Sequence, residues 1–209
     1  VAVATVAKPI ELIDQRVMLV DRSAKRRLLI DIVGASDVER AIVFTRTKRG
    51  ADKVQRSLSD AGLSAAAIHG NKSQNQRTKA LDAFKSGKVT ILVATDIAAR
   101  GIDVENVSHV VNFELPNIPE SYVHRIGRTA RAGKTGVAVS LCDGAEREYL
   151  RDIEKLVGYK IRSTGDGGGG DEPETRRGGR NGNRNRNGKR QPRRGAAKKG
   201  RSGNRPPRT

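Results

Sequence analysis

The residues with the clearest chemical potential form one short segment, His124-Arg125-Ile126-Gly127-Arg128-Thr129-Ala130-Arg131-Ala132-Gly133. Three arginines spaced by three place Arg125 and Arg128 near one helix face, with Arg131 just past the helix end. Guanidinium groups held that close repel one another unless an anion sits among them, and a triphosphate meets that need. A second group is Thr95-Asp96-Ile97-Ala98-Ala99-Arg100-Gly101-Ile102-Asp103, which gathers a hydroxyl, two carboxylates, an arginine and a glycine. Two more clusters are Arg46-Thr47-Lys48-Arg49 and His69-Gly70-Asn71-Lys72, the latter followed by Gln74 and Arg77. Their hydroxyls, amides and cations are the groups that hold a phosphate backbone. Asp96 and Asp103 could equally cap short helices, and His69 could be no more than a satisfied strand-end residue.

Three of these clusters follow short β-branched or small apolar runs, and such runs alternate along the chain with amphipathic helical patterns. The strand candidates are 15–20, 41–45, 65–69, 89–95, 109–114 and 137–142. A first helix carries Leu28, Leu29, Ile32 and Val33 on its apolar face; a second, after Thr47, carries Ala51, Val54, Leu58 and Ala61 and stops at Gly62. Ser73 and Gln76 fit a capping box opening a helix that turns Ala80, Leu81 and Phe84 inward. Pro119 suits the first turn of the next helix, through Tyr122, Val123 and Ile126, and a last helix at 145–157 is expected to bury Leu150, Ile153 and Leu156. The pattern predicts one doubly wound α/β domain with a parallel sheet, whose ligands gather beyond the carboxyl ends of the strands.

Composition divides the chain. Of 209 residues, 41 are Lys or Arg and 23 Asp or Glu, a formal charge of +18 that points to nucleic acid as partner. From Ser163 to Thr209 there are 14 basic and four acidic side chains, 12 glycines, and only Ala196 and Ala197 as hydrophobics. Such a segment buries too little apolar surface to offset its chain entropy, so 163–209 is expected to be a disordered basic tail that binds polyanions loosely. Residues 15–162 are the expected folded domain and 1–14 its lead-in. No apolar run reaches the roughly 18 to 20 residues of a membrane span. The single cysteine, Cys142, forms no internal disulfide, and His69, His109 and His124 lack metal-ligand spacing, so a cytoplasmic location and no metal site of its own are expected.

Two near-misses define what the chain lacks. Gly127 to Thr135 is one residue too long for a phosphate-binding loop and lies between a helix and a strand, the reverse of the required order. Asp171-Glu172-Pro173-Glu174 has no apolar strand leading into it, so it is no magnesium-holding segment. The arginines suit a nucleotide whose primary site is not in the sequence.

The ordered segments AIVFTRT (41–47), HGNKSQNQR (69–77), VATDIAARGID (93–103) and HRIGRTARAG (124–133) resemble the second RecA-like domain of a DEAD-box ATP-dependent RNA helicase, and HGNKSQ with the basic tail is most similar to the bacterial RhlE-type subgroup. The resemblance covers about residues 10–160. It implies an absent N-terminal RecA-like domain holding ATP and Mg²⁺, of which this chain, beginning at Val1, would be the C-terminal complement. It also implies site roles. Arg128 and Arg131 would be arginine fingers at the γ-phosphate, Asp103 with Gly101 would meet the ribose, and Arg100, His124 and Arg125 would join an interdomain network. Thr47, Gly70, Gln74, Arg77 and Thr95 would hold RNA without reading its sequence. Arginine fingers are worth about 10³ to 10⁵ in phosphoryl-transfer rate. Ala130 stands where that family usually has Gly. The chain alone is then expected to be inactive. Its rival readings are a standalone RNA-binding or annealing module and half of a DNA helicase.

Overall fold

Short continuous runs of small and β-branched residues build the centre of the sheet, and the caps help start the helices between its strands. In the computed structural model, residues 12–99, 104, 107–131 and 134–165 are described. The chain divides into two units after Gly169, and all of these residues lie in the first. Among them seven strands form one wholly parallel sheet: β1 (Ile13–Leu19), β2 (Ala41–Phe44), β3 (Ala65–Ile68), β4 (Ile91–Ala94), β5 (His109–Asn112), β6 (Gly136–Cys142) and β7 (Arg162–Thr164). Their order across the sheet is β3-β4-β2-β5-β6-β1-β7. The helices are α1 (Lys25–Val33), α2 (Lys48–Asp60), α3 (Gln74–Lys85), α4 (Asp96–Ala99), α5 (Pro119–Ile126) and α6 (Arg147–Val157).

Side chains alternate across the pleat, so the central strands feed two cores. Ala41, Val43, Ile91, Val93 and Val111 pack under Leu29, Val33, Ala51, Val54 and Leu58 of α1 and α2. On the opposite face Ile42, Phe44, Leu92 and Ala94 meet Phe84 of α3 and Ala98 and Ala99 of α4. A third cluster joins Tyr122 and Ile126 of α5 and Leu150 and Ile153 of α6 to Ala138, Cys142 and Val17. The expected caps form: Thr47 Oγ1 accepts the Gly50 N–H at the start of α2, and Ser73 and Gln76 exchange both bonds of a capping box.

The six expected strands are present, with ends shifted by at most two residues. Three details differ. Leu156 is 46% exposed, because Leu150, Ile153 and Val157 already complete the inward stripe of α6. Ala61 is the C-cap of α2 and lies outside it. β7 extends past Arg162 to Thr164, pairing Ser163 with Val17 and Thr164 with Met18, so the sheet takes in the first residues assigned to the tail. The tail from 166 onward and residues 1–11 of the lead-in lie outside the described residues, while Ile13 and Asp14, assigned to the lead-in, begin β1. No described helix is long and apolar enough to cross a membrane.

Candidate nucleic-acid interface

The sheet order makes neighbours of β3, β4 and β2, and their carboxyl ends bring the polar clusters together. Thr47 is exposed where the chain turns from β2 into α2. Its loop is pinned by Glu114, whose Oε2 accepts the Arg46 N–H at 2.8 Å. At the end of β3, Gly70 lies so close under Lys48 that a Cβ there would stand 3.2 Å from Lys48 Cε. Lys48 Nζ donates to Asn71 Oδ1 at 2.9 Å, linking the β2 and β3 loops. Gln74 opens α3, and its Oε1 accepts from Arg77 Nη1 at 3.3 Å; Arg77 Nε is buried without a partner. Thr95 follows β4, between these loops, but is only 7% exposed. Thr47, Gly70, Gln74, Arg77 and Thr95 therefore share one end of the sheet.

Arg125 behaves differently from an exposed cation. It is 1% exposed, and its guanidinium donates to both Asp96 oxygens, to Asn112 Oδ1 (3.1 Å) and to the Glu114 carbonyl (2.7 Å), while its Cζ lies 5.1 Å from the centre of the Phe44 ring. It fastens α5 to the ends of β4 and β5 from within. Asp96 is the first residue of α4, and its two oxygens are engaged by Arg125.

Beyond this clamp the chain turns twice. His124 is exposed, and with Phe44, Asp96, Ser121, Arg125 and Arg128 it lines a cleft of about 290 Å³. Arg128 also lines a second cleft, of about 380 Å³, with Arg131, Lys134 and Ser108 and with the acidic Asp37 and Glu39. Arg128 and Arg131 thus line one cleft; the helix ends at Ile126, so Arg128 lies past it beside Arg131 and, against the expectation from the spacing of three, does not share a helix face with the buried Arg125. Thr129, 2% exposed, donates its hydroxyl to the Val107 and Ser108 carbonyls, and Arg131 Nε donates to the Gly127 carbonyl at 3.3 Å. Between them Ala130 adopts φ 54°, the one positive φ among the described non-glycine residues. Gly136 admits no side chain here, since a Cβ would stand 2.2 Å from Thr129 Oγ1. Arg100, Gly101 and Asp103 lie outside the described residues.

Several supporting groups were not legible as such. Lys25, in an apparently exposed basic run, is 2% exposed; its Nζ meets Glu146, Asp143 (3.3 Å) and the Phe113 carbonyl. Glu146, 1% exposed, also accepts the Leu115 N–H and lies 3.4 Å from Arg46 Nη2, so one carboxylate braces three loops. His69 sits under the β3 loop beside Asp52 and Lys72. Burial raises the Asp52 carboxyl, but its His69 and Lys72 partners outweigh that and hold it below its ordinary value. No signal short of the fold marks Lys25 or Glu146, because only the sheet order brings them together.

No described cluster of three or more His, Cys, Asp or Glu could hold a metal ion. The cationic and hydrogen-bond-donating groups of this face fit phosphate oxygens, with Asp96 in the first arginine cleft and Asp37 and Glu39 in the second as the acidic groups beside them.

Comparison with known proteins gives a consistent result. The family described as helicase conserved C-terminal domain matches residues 24–133. The ATP-dependent rRNA helicase RRP3 of Kluyveromyces lactis is 42% identical over 160 residues, 77% of this chain and 33% of that protein. A DEAD box protein from Methanococcus jannaschii superposes with a TM-score of 0.70 at 41% identity, over 76% of this chain and 43% of that one. Dbp5 of S. cerevisiae, bound to RNA and ADP BeF3, superposes with a TM-score of 0.67 at 33% identity, over 74% of this chain and 41% of that one. The chain thus spans about a third of the length of the curated relatives it matches.

Proposed function

The chain belongs to the family of helicase conserved C-terminal domains, in its DEAD-box RNA helicase branch, and on that premise we propose that it is the C-terminal RecA-like half of an ATP-dependent RNA helicase working in the cytoplasm. In this reading Thr47, Gly70, Gln74, Arg77 and Thr95 hold the RNA sugar-phosphate backbone, which gives binding without sequence readout. Arg128 and Arg131 reach the γ-phosphate of ATP carried by an N-terminal RecA-like domain, which also holds Mg²⁺. Gly101 and Asp103 meet the ribose, and Arg100 and His124 face the partner domain. Arg125 contributes from inside.

The observation that carries this reading is the clamp between Arg125 and Asp96. It joins the arginine segment to the end of β4, where Thr95 begins the polar track. Groups suited to a nucleotide and groups suited to RNA thus ride on one rigid body, so closure on one ligand aligns the other. ATP supplies the phosphoanhydride cleavage; the guanidinium forks supply charge at the equatorial oxygens.

Arg128→Ala tests it in a protein that includes the N-terminal domain. RNA-stimulated ATP turnover is expected to fall by about 10³ or more while RNA affinity stays within about twofold. Unchanged turnover counts against the proposal, as does RNA-stimulated ATP hydrolysis by the 209-residue chain alone.

A further inference from the structure

The turn after β3 is held from beneath by a buried histidine. His69 is 1% exposed, in a position where an aliphatic side chain would satisfy packing at no desolvation cost. Its polar atoms are instead tied to the turn that follows. Nδ1 accepts the Asn71 N–H at 3.3 Å, and the His69 carbonyl accepts the Lys72 N–H at 3.0 Å. With Nδ1 accepting, the ring proton belongs on Nε2, which lies 3.0 Å from Asp52 Oδ1, out of line for a full hydrogen bond. The same Asp52 oxygen meets Lys72 Nζ at 3.0 Å. Asp52 belongs to α2, the helix that Thr47 caps, so the imidazole ties the β3 loop to the β2 loop below the surface while Lys48 and Asn71 tie them above it.

We propose that His69 is a positioning residue for RNA: by holding the Asn71 amide and facing Asp52, it fixes the Gly70-Asn71 turn in the orientation that receives a phosphodiester. The proposal rests on the RNA reading of this face. It assigns the buried ring an effect on affinity that a merely packed histidine would not have.

The test compares His69→Asn and His69→Gln in the 209-residue chain. The Asn amide oxygen falls where Nδ1 accepts, whereas Gln displaces its acceptor by one carbon. Binding of a short oligouridine is measured at about 0.2 M salt, where loose electrostatic contacts are weakened, with melting temperature recorded alongside. His69→Asn is expected to bind within about twofold of the parent and His69→Gln about threefold to tenfold more weakly, the value of one hydrogen bond. Equal affinity of the two variants, parental or reduced, overturns the proposal, as does a loss that tracks melting temperature. Thr47→Ala and Arg77→Ala separate the two layers. If both leave binding unchanged, the RNA reading of this face falls and the proposal with it; if both weaken binding while the His69 variants bind alike, only the role of His69 falls.

Discussion

Arg125 and Asp96 meet two-on-two, with Nε 2.6 Å from Oδ1 and Nη2 2.8 Å from Oδ2. The guanidinium is 1% exposed while the carboxylate is 33% exposed, so the pair spans the boundary between core and cleft. An ion pair of this kind adds little over a well-packed apolar pair, but loss of one member leaves the other charge buried.

Asp96→Ala therefore destabilises the domain by about 3 kcal/mol, the lower end for a broken buried pair because water reaches Asp96. Urea denaturation measures it. A change below about 1 kcal/mol would show that Asn112 and the Glu114 carbonyl satisfy Arg125 by themselves.

Ala130→Gly is expected to alter stability by less than about 0.5 kcal/mol. Relief of the left-handed φ is worth about 1 to 2 kcal/mol, while loss of a buried methyl costs about 0.8 kcal/mol and added freedom in the unfolded chain about 0.4 to 1 kcal/mol. The same replacement at Ala51, fully buried in α2, lacks the relief and costs about 2 kcal/mol. Equal losses at the two sites in thermal or urea unfolding would mean that the φ of 54° at Ala130 carries no strain.

Asp52 links stability to acid. Its carboxyl is lower in the folded state than in the unfolded chain, so its contribution is complete above the ordinary carboxylate value and disappears as pH falls through the folded one. Asp52→Asn should flatten the dependence of the urea midpoint on pH in that acidic range. Parallel curves for parent and variant would remove Asp52 from the acid transition.

The basic tail should carry much of the salt dependence of RNA binding. If about six of its cations meet phosphates on a single strand, cutting the chain after Gly165 reduces the log-log salt slope by about four. That cut keeps β7, whose pairing with β1 a cut after Arg162 would remove. An unchanged slope would assign the tail to solubility alone.

The chain by itself determined the six core strands, the caps at Thr47 and Ser73 and the turn at Gly62, because each is a local matter of side-chain period or capping chemistry. It also determined the family, through four motifs in order. Tertiary structure decided which of these charges face solvent. Arg125 reads as a cation like Arg128 and Arg131, yet it is interior, as is Lys25, since sheet order alone brings Asp96 to one and Glu146 to the other. β7 carries no apolar pattern and exists because β1 leaves an edge to pair. His69 acquired a function-bearing environment in the same way: its partners Asn71 and Asp52 lie on different elements, and nothing in their spacing says that one ring will touch both.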